Sequence, residues 1–347
     1  MFCRLMLKDS SSLRLLPTSA LEDYFSQIFF HNPWYDESIP SLVYKRTDGR
    51  IIGFIGVVPR RMTYHGKAIR VAVSFHFMVD PDSRSSLAGV QILKHFFSGP
   101  QDLSITDGAG EIGRKIWEGV GGTTAWAYSL FWTKILRPGQ YAAGLIGNRK
   151  YFKPFAWAAT PFCKIADAST AILAPNIYAP QVDISKEEEL DLDVLINHAH
   201  HFAQKRSLLP VYEAESLRWL FDQLDQMNYY GALKKILVRD DNGEIIGWFI
   251  YYLKPGGTST VIQFLSNKNS IQTTIDHLFH HARRHNSIAL HGRLDPRLMQ
   301  EFSDNRGYFN RNGSWLLVHS RDLNILHSIQ SSEALLTGLE GEFGLLF

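Results

Sequence analysis

The chain has 347 residues, 45% hydrophobic and 13% aromatic, with a formal net charge of +2 at pH 7. That length allows two domains with full cores. The near-balance of charge excludes a molecule that binds nucleic acid through its overall charge, although a local basic groove stays open. Cys3 and Cys163 form no disulfide framework and point to a reducing compartment. The apolar run in Met1–Lys8 is too short for a signal peptide, and no stretch approaches the roughly 20 apolar residues of a bilayer span. A soluble, cytoplasmic protein is expected.

In chain order, a helix is predicted over 19–30, opened by a good capping residue. Strands are predicted at 41–46, 51–59 and 68–79, a helix at 87–97, a strand at 102–106, a short helix at 111–120 and a strand at 124–134. Pro138, Pro154, Pro161 and Pro175 punctuate the segment that follows, which reads as a connector with some helix. Helices are then predicted at 192–204 and 215–227, and strands at 233–239, 245–253 and 258–265. A helix at 271–285, a strand at 287–293, a helix at 297–306 and a strand at 314–319 complete the order, before an amphipathic tail.

The order repeats. Arg46-Thr47-Asp48-Gly49-Arg50-Ile51-Ile52-Gly53-Phe54-Ile55 has an echo in Arg239-Asp240-Asp241-Asn242-Gly243-Glu244-Ile245-Ile246-Gly247-Trp248-Phe249-Ile250. In each, an Asp-Gly or Asn-Gly turn joins two β-rich runs, which is a hairpin signal. The expectation is an α+β fold of two related domains, 1–136 and 180–322, with a connector at 137–179 and a tail at 323–347.

The most informative junction is Phe77-Met78-Val79-Asp80-Pro81-Asp82-Ser83-Arg84-Ser85-Ser86-Leu87-Ala88-Gly89-Val90. An alternating apolar strand ends at Pro81, and a helix opens on Ala88-Gly89. Such a junction presents free backbone N–H groups and the positive end of a helix dipole to a phosphate, and Arg84 adds a charge that pairs with the same anion. The expected ligand is a phosphate-bearing carrier.

Val79-Asp80-Pro81 followed by Arg84-Ser85-Ser86-Leu87-Ala88-Gly89 resembles the phosphate loop of the GNAT N-acyltransferase superfamily, with Leu87 in place of the first glycine. Gly110-Glu111-Ile112-Gly113-Arg114-Lys115-Ile116-Trp117-Glu118-Gly119-Val120-Gly121-Gly122 is similar in spacing to the family's second pattern, with Trp117 where a tyrosine acid often stands. The resemblance covers about residues 14–136. The second half resembles a decayed copy, whose corresponding loop, Leu265–Ile271, has no glycine. The family's fold is a mixed sheet that binds acyl-CoA between two splayed strands. The resemblance therefore implies an acyl-CoA donor, acetyl-CoA in the first instance, an amine acceptor that is a small molecule or a peptide, and transfer by direct attack. It implies donor contacts from Phe77, Met78, Val79, Arg84, Ser85, Ser86, Ala88, Gly89, Val90 and Trp117, and a backbone N–H of Met78 or Val79 that polarises the thioester.

The chemistry needs a base for the amine, stabilisation of the oxyanion and an exit for the thiolate. His76 is the candidate base, with an ordinary pKa near 6.5, and Ser74 shares its strand parity; the alternative is a packed strand histidine. A bulge in this strand would change which side chains face the cleft. Asp107 sits at a strand end in Thr106-Asp107-Gly108, either facing substrate or holding a turn. Tyr128, on the last strand of the first half, is a candidate proton donor or a core aromatic. Asp80 and Asp82 are expected to face solvent, away from the phosphate. The loop from Phe29 to Tyr35 lines an acceptor pocket or caps the core. His277, His281 and His285 recur at helical i, i+4, i+8 spacing, but no carboxylate or cysteine set completes a zinc site, so a solvated face is expected and no metal. A Fem-type transferase using aminoacyl-tRNA and a non-catalytic CoA-binding module are the alternatives. Acceptor identity, acyl length and oligomeric state stay open.

Overall fold

The computed structural model describes residues 18–80, 82, 87–147, 167, 169, 180, 182–203, 205–311, 313–342 and 345. Its elements in chain order are α1 (Thr18–Phe29), β1 (Leu42–Lys45), β2 (Ile51–Tyr64), β3 (Lys67–Val79), α2 (Ala88–Phe97), β4 (Leu103–Ala109), α3 (Glu111–Gly119), β5 (Thr123–Thr124), β6 (Phe131–Ile135) and α4 (Pro138–Gly147). They continue with β7 (Glu187–Glu189), α5 (Leu192–Phe202), β8 (Leu208–Pro210), α6 (Ala214–Gln226), β9 (Ala232–Arg239), β10 (Ile245–Leu253), β11 (Thr258–Ser266), α7 (Ile271–Arg284), β12 (Ala289–Arg293), α8 (Met299–Asp304), β13 (Tyr308–Asn310), β14 (Trp315–His319) and α9 (Leu323–Gln330). The result is an α+β fold with two mixed sheets flanked by helices. Among the described residues no helix is long and apolar enough to cross a membrane.

Two compact units interleave along the chain. The first takes Met1–Ser129, Lys205–Gln223 and Gly313–Phe347; the second takes Leu130–Gln204 and Leu224–Asn312. This differs from the division expected along the sequence, which put 205–223 and 313–322 in the second domain and 130–136 in the first. The strand expected at 124–134 is broken. Thr123–Thr124 forms β5 beside β14, Ala127–Ser129 forms a 3-10 turn, and Phe131–Ile135 forms β6 in the other sheet, between β12 and β13. The break has a local cause: the Ser129 N–H donates to the Ala125 carbonyl (3.1 Å), so this backbone closes on itself rather than on a neighbouring strand. The tail differs as well. Asp322 caps α9 through the Asn324 N–H, and Ile325, Ile329, Ala334 and Leu336 are buried in the first unit's core.

In the first unit the sheet order is β1-β2-β3-β4-β14-β5, with β8 on β2. β2 and β3 form one long hairpin, turned at His65 (φ 48°) and Gly66 (φ 77°), the two left-handed residues of a tight hairpin loop. Both sheet faces are covered, which explains why these strands read as near-continuous apolar runs. One face packs Ile55, Val57 and Ala72 against Ile92, Leu93 and Phe96 of α2. The other packs Met62, Val71, Val73 and Ile105 against Leu208, Ile325 and Ile329.

In the second unit the sheet order is β13-β6-β12-β11-β10-β9-β7. Its core joins Trp132, Phe249, Tyr251 and Leu290 to Ile275, Leu278 and Phe279 of α7. The α7 histidines correct the expectation of a solvated face. His277 and His281 are 2% and 7% exposed; the first pairs with Glu187 (2.8 Å) and the second bonds Tyr251 (2.7 Å). A histidine carries enough apolar surface to pack on a sheet once its ring nitrogens are bonded.

Because the C-terminal helix is core, Ile329→Ala is expected to cost about 2–4 kcal/mol, read as a lower urea midpoint with an unchanged slope. Leu323→Ala, at a position 75% exposed, is expected to stay within about 0.5 kcal/mol of the parent.

Candidate functional site

The first unit's sheet opens at one place. β3 and β4 run parallel and pair only over Val71–Val73 against Leu103–Ile105. Beyond that point β3 follows β2 as far as Val79, whereas β4 follows β14, with Thr106 opposite Leu317 and Ala109 opposite Trp315. The two strands part, and the edge of β3 that faces β4 leaves the ladder.

A bulge sits at the parting. Phe54 pairs with Met78, but Gly56 pairs with Phe75, so β3 carries one residue more than β2 across this step. His76 takes up the extra length with a left-handed φ of 52°. A one-residue insertion reverses the facing of everything after it. Val73 lies in the core on the tail side of the sheet, whereas Phe77 packs on the opposite, α2 side. Ser74, expected to share the facing of His76, is buried and donates to the Ile105 carbonyl (3.4 Å).

The bulge is clamped from above by α1. Gly56 leaves room for the Phe29 ring, which a Cβ there would meet at 2.4 Å, and Phe29 stacks on Phe75. This places the Tyr24 hydroxyl 2.6 Å from His76 Nε2. The hydroxyl donates to the Leu345 carbonyl (2.8 Å), so it accepts from His76 and assigns the proton to Nε2. Burial pushes the His76 pKa down to about 4, which makes the ring neutral at pH 7. Burial, then the charge of Glu342, pushes the Tyr24 pKa up. Asp107, at the end of β4, is 4% exposed and accepts from the Glu342 N–H (2.8 Å). Glu342 in turn accepts from the Thr106 hydroxyl (3.2 Å). A Cβ at Gly341 would lie 2.0 Å from Asp107 Oδ2, so the segment passes directly over this carboxylate.

Arg84, Ser85 and Ser86 lie outside the described residues. Ala88, Gly89 and Val90 form the first turn of α2, whose N-cap residue Leu87 makes no side-chain cap hydrogen bond. Gly89 lets the helix approach β3, since a Cβ would lie 3.2 Å from Val79 and 3.3 Å from Phe77. Leu87 has φ −77° and is 67% exposed, so its replacement of a glycine needs no special backbone angle and its side chain does not fill the junction. Met78, like Phe77 and Val79, is half-buried on the parted end of β3. Asp80 corrects the expectation of a solvent-facing acid: it is buried and paired with Arg50 (2.5 Å). Trp117 is 3% exposed, donates to the Val318 carbonyl (3.1 Å) and packs on Phe97. Tyr128 lies in the 3-10 turn rather than on a strand, and its hydroxyl donates to the Ala334 carbonyl (2.7 Å) and accepts from the Ala334 N–H (3.1 Å).

No protein-family model matches the sequence, and no curated protein matches it. Solved structures do resemble it. A GCN5-related N-acetyltransferase from Anabaena variabilis superposes with TM-score 0.54 at 11% identity, over 87% of this chain and 66% of that one. A GCN5-related N-acetyltransferase from Kribbella flavida gives 0.52 at 13%, over 92% and 68%. A conserved protein from Enterococcus faecalis described as a probable N-acyltransferase gives 0.53 at 10%, over 89% and 67%. The chain has the GNAT fold. It spans about two thirds of the length of these neighbours.

Within this GNAT fold the structure brings His76 to the parting of the strands and Asp107 to the neighbouring strand end. It gives the indole of Trp117 and the hydroxyl of Tyr128 backbone partners. Sequence reasoning missed Tyr24 and Glu342. Tyr24 is one of several aromatics on an ordinary amphipathic helix, and Glu342 lies beyond the last recognised motif.

The His76 pKa sets a pH dependence. Its folded value lies below the unfolded one, so the unfolded chain binds the proton more readily between about pH 4 and 6.5. The stability this group contributes is complete above pH 6.5 and is lost as pH falls toward 4. His76→Asn, which tolerates a left-handed φ, is expected to flatten the stability-versus-pH slope in that window by about one proton, measured by urea unfolding at a series of pH values.

Proposed function

We propose that the protein is an N-acyltransferase that moves an acyl group, acetyl in the first instance, from a CoA thioester to an amine. The observation that carries this reading is the parting of β3 from β4, with the His76 bulge on one wall and the first turn of α2 at its end. Arg84, Ser85 and Ser86 with the N–H groups of Ala88, Gly89 and Val90 hold the pyrophosphate. Phe77, Met78 and Val79 line the thioester's path.

The amine nitrogen attacks the thioester carbon; the C–N bond forms, the C–S bond breaks and sulfur leaves as thiolate. A backbone N–H on the open edge of β3, at Met78 or Val79, bonds the developing oxyanion. As the C–N bond forms the nitrogen's proton becomes acidic, so a base as weak as the half-buried neutral His76 is strong enough to take it. Asp107 holds the Gly341–Glu342 backbone in place over the site.

On this reading the two units are tandem GNAT-like copies, with the donor site in the first. The second repeats the order of strands, its β10–β11 pairing also slips by one residue between Ile250 and Tyr251, and its parallel pair is confined to Thr258–Val261 against Ala289–Gly292. Counted from Gly53 and Gly247, Gln263 stands where His76 does in the first. It is buried and accepts from Trp248 Nε1 (2.9 Å), an amide engaged in packing in place of an imidazole.

The test is thermal unfolding with CoA, acetyl-CoA and longer acyl-CoAs, then an amine screen with the best donor. A donor at 100 times its dissociation constant is expected to stabilise the native state by about 2.7 kcal/mol. His76→Ala is expected to lower kcat by at least about a hundredfold. Asp107→Asn, which keeps an acceptor for Glu342 N–H, is expected to stay within a factor of about 3. No stabilisation by any acyl-CoA at millimolar concentration would refute the proposal.

A further inference from the structure

A charged pair interrupts the apolar run of β2 at Pro59-Arg60-Arg61-Met62. Strand alternation sends the two in opposite directions. The Arg61 side chain is 64% exposed and pairs with Glu213 (3.0 Å). Arg60 turns inward opposite Val71 and is 8% exposed. Its guanidinium lies over the Trp34 ring, 3.6 Å from the centroid, so the aromatic loop after α1 supplies the surface on which it rests.

Two of its donors, Nε and Nη2, are buried and have no hydrogen-bond partner among the described residues. They lie on the same edge of the guanidinium and form a side-on fork, spaced for the two oxygens of one carboxylate. Arg60 lines a cavity of about 30 Å³ with Leu217, Leu220, Leu339, Tyr212 and Glu340, and Arg61 stands at its rim. That volume holds about two water-sized groups. Glu340 is buried nearby and already committed: its carboxylate accepts from the Thr337 N–H and hydroxyl (both 2.6 Å) and from the Tyr212 hydroxyl. Burial brings the Arg60 pKa down only to about 10, so it is a cation at pH 7.

We propose that this pocket is a binding site for a small carboxylate, held by the Nε/Nη2 fork of Arg60, with a short aliphatic body against the leucines. A single fork, a small volume and the neighbouring Glu340 select a planar monoanion over a phosphate. The carboxylate has two sources, the acyl acceptor itself or a separate small molecule. The site stands without the transferase reading.

The test follows the Arg60 Nε–Hε resonance of the full-length protein, with Tm alongside, as sodium acetate replaces sodium chloride at constant ionic strength. A saturable shift in the millimolar range with a rise in Tm is expected, weakened at least about tenfold by Arg60→Lys, which has no fork. Glu340→Gln is expected to retain binding. Absence of a saturable shift up to about 100 mM acetate, an equal response in Arg60→Lys, or equally tight binding of inorganic phosphate would overturn the proposal. Where turnover is measurable, acetate that raises the acceptor's KM at constant kcat assigns the carboxylate to the acceptor. Acetate that raises Tm with KM unchanged assigns it to a separate ligand. Either result supports the site.

Discussion

A strand with one residue too many cannot keep its side chains in step with its neighbour, and the first unit is arranged around that mismatch at His76. Up to Phe75, β3 follows the alternation set by β2; after His76 the facing is reversed. The reversal puts Phe77 and Val79 against α2 and leaves the imidazole on the side of Tyr24. A left-handed φ in a non-glycine residue costs about 1 kcal/mol or more, and it persists because the surroundings over-determine it. Phe29 fills the space above Gly56, Tyr24 bonds the ring, and Gly89 admits the helix. Without any one of these the strand gains little by keeping its extra residue.

The segment from Leu339 to Glu342 links two polar sites in the same unit. Glu342 donates its N–H to Asp107 and adds its charge to the burial that raises the Tyr24 pKa, while Leu339 and Glu340 form part of the wall beside Arg60. Three buried acids therefore lie close along one stretch of backbone and strand end. Buried carboxylates are tolerated only when their oxygens are bonded and a countercharge is near. Thr106, Thr337 and Tyr212 supply the bonds, and Glu340, Tyr212 and Asp107 all act electrostatically on Arg60. The cation on β2 is thus the countercharge that makes this acidic cover possible, and Gly341 is the residue that lets the cover approach Asp107.

What could be read from the sequence was what local patterns encode. The hairpins, the helix that opens at Ala88 and the strand that starts at Leu103 follow from turn residues and periodicity, although that strand runs to Ala109 rather than stopping at Thr106. The bulge does not follow, because a single inserted residue leaves the apolar run of β3 unbroken, and strand alternation alone assigns Ser74 and His76 one facing. The interleaving of the units was also hidden. Thr123–Ile135 is rich in threonine and aromatic residues, and the turn at Ala127–Ser129 contains neither glycine nor proline; the bonds of Tyr128 and Ser129 mark it. Arg60 illustrates the same limit, since nothing local distinguishes the inward arginine of an Arg-Arg pair from the outward one.

The low pKa of His76 bears on how such a site turns over. Tyr24 gives its proton to the Leu345 carbonyl, so the imidazole is held by its own Nε2–H. An ordinary histidine would be partly protonated at neutral pH and partly lost as a base. Burial removes that competition and keeps the ring neutral. The same burial makes the imidazolium costly, so on the proposed reading a proton gained during acyl transfer is held loosely and leaves as soon as a stronger base or water reaches it. On the proposed reading the clamp by α1 therefore favours a ready base over a strong one. It suits a reaction whose proton becomes acidic only as the new bond forms.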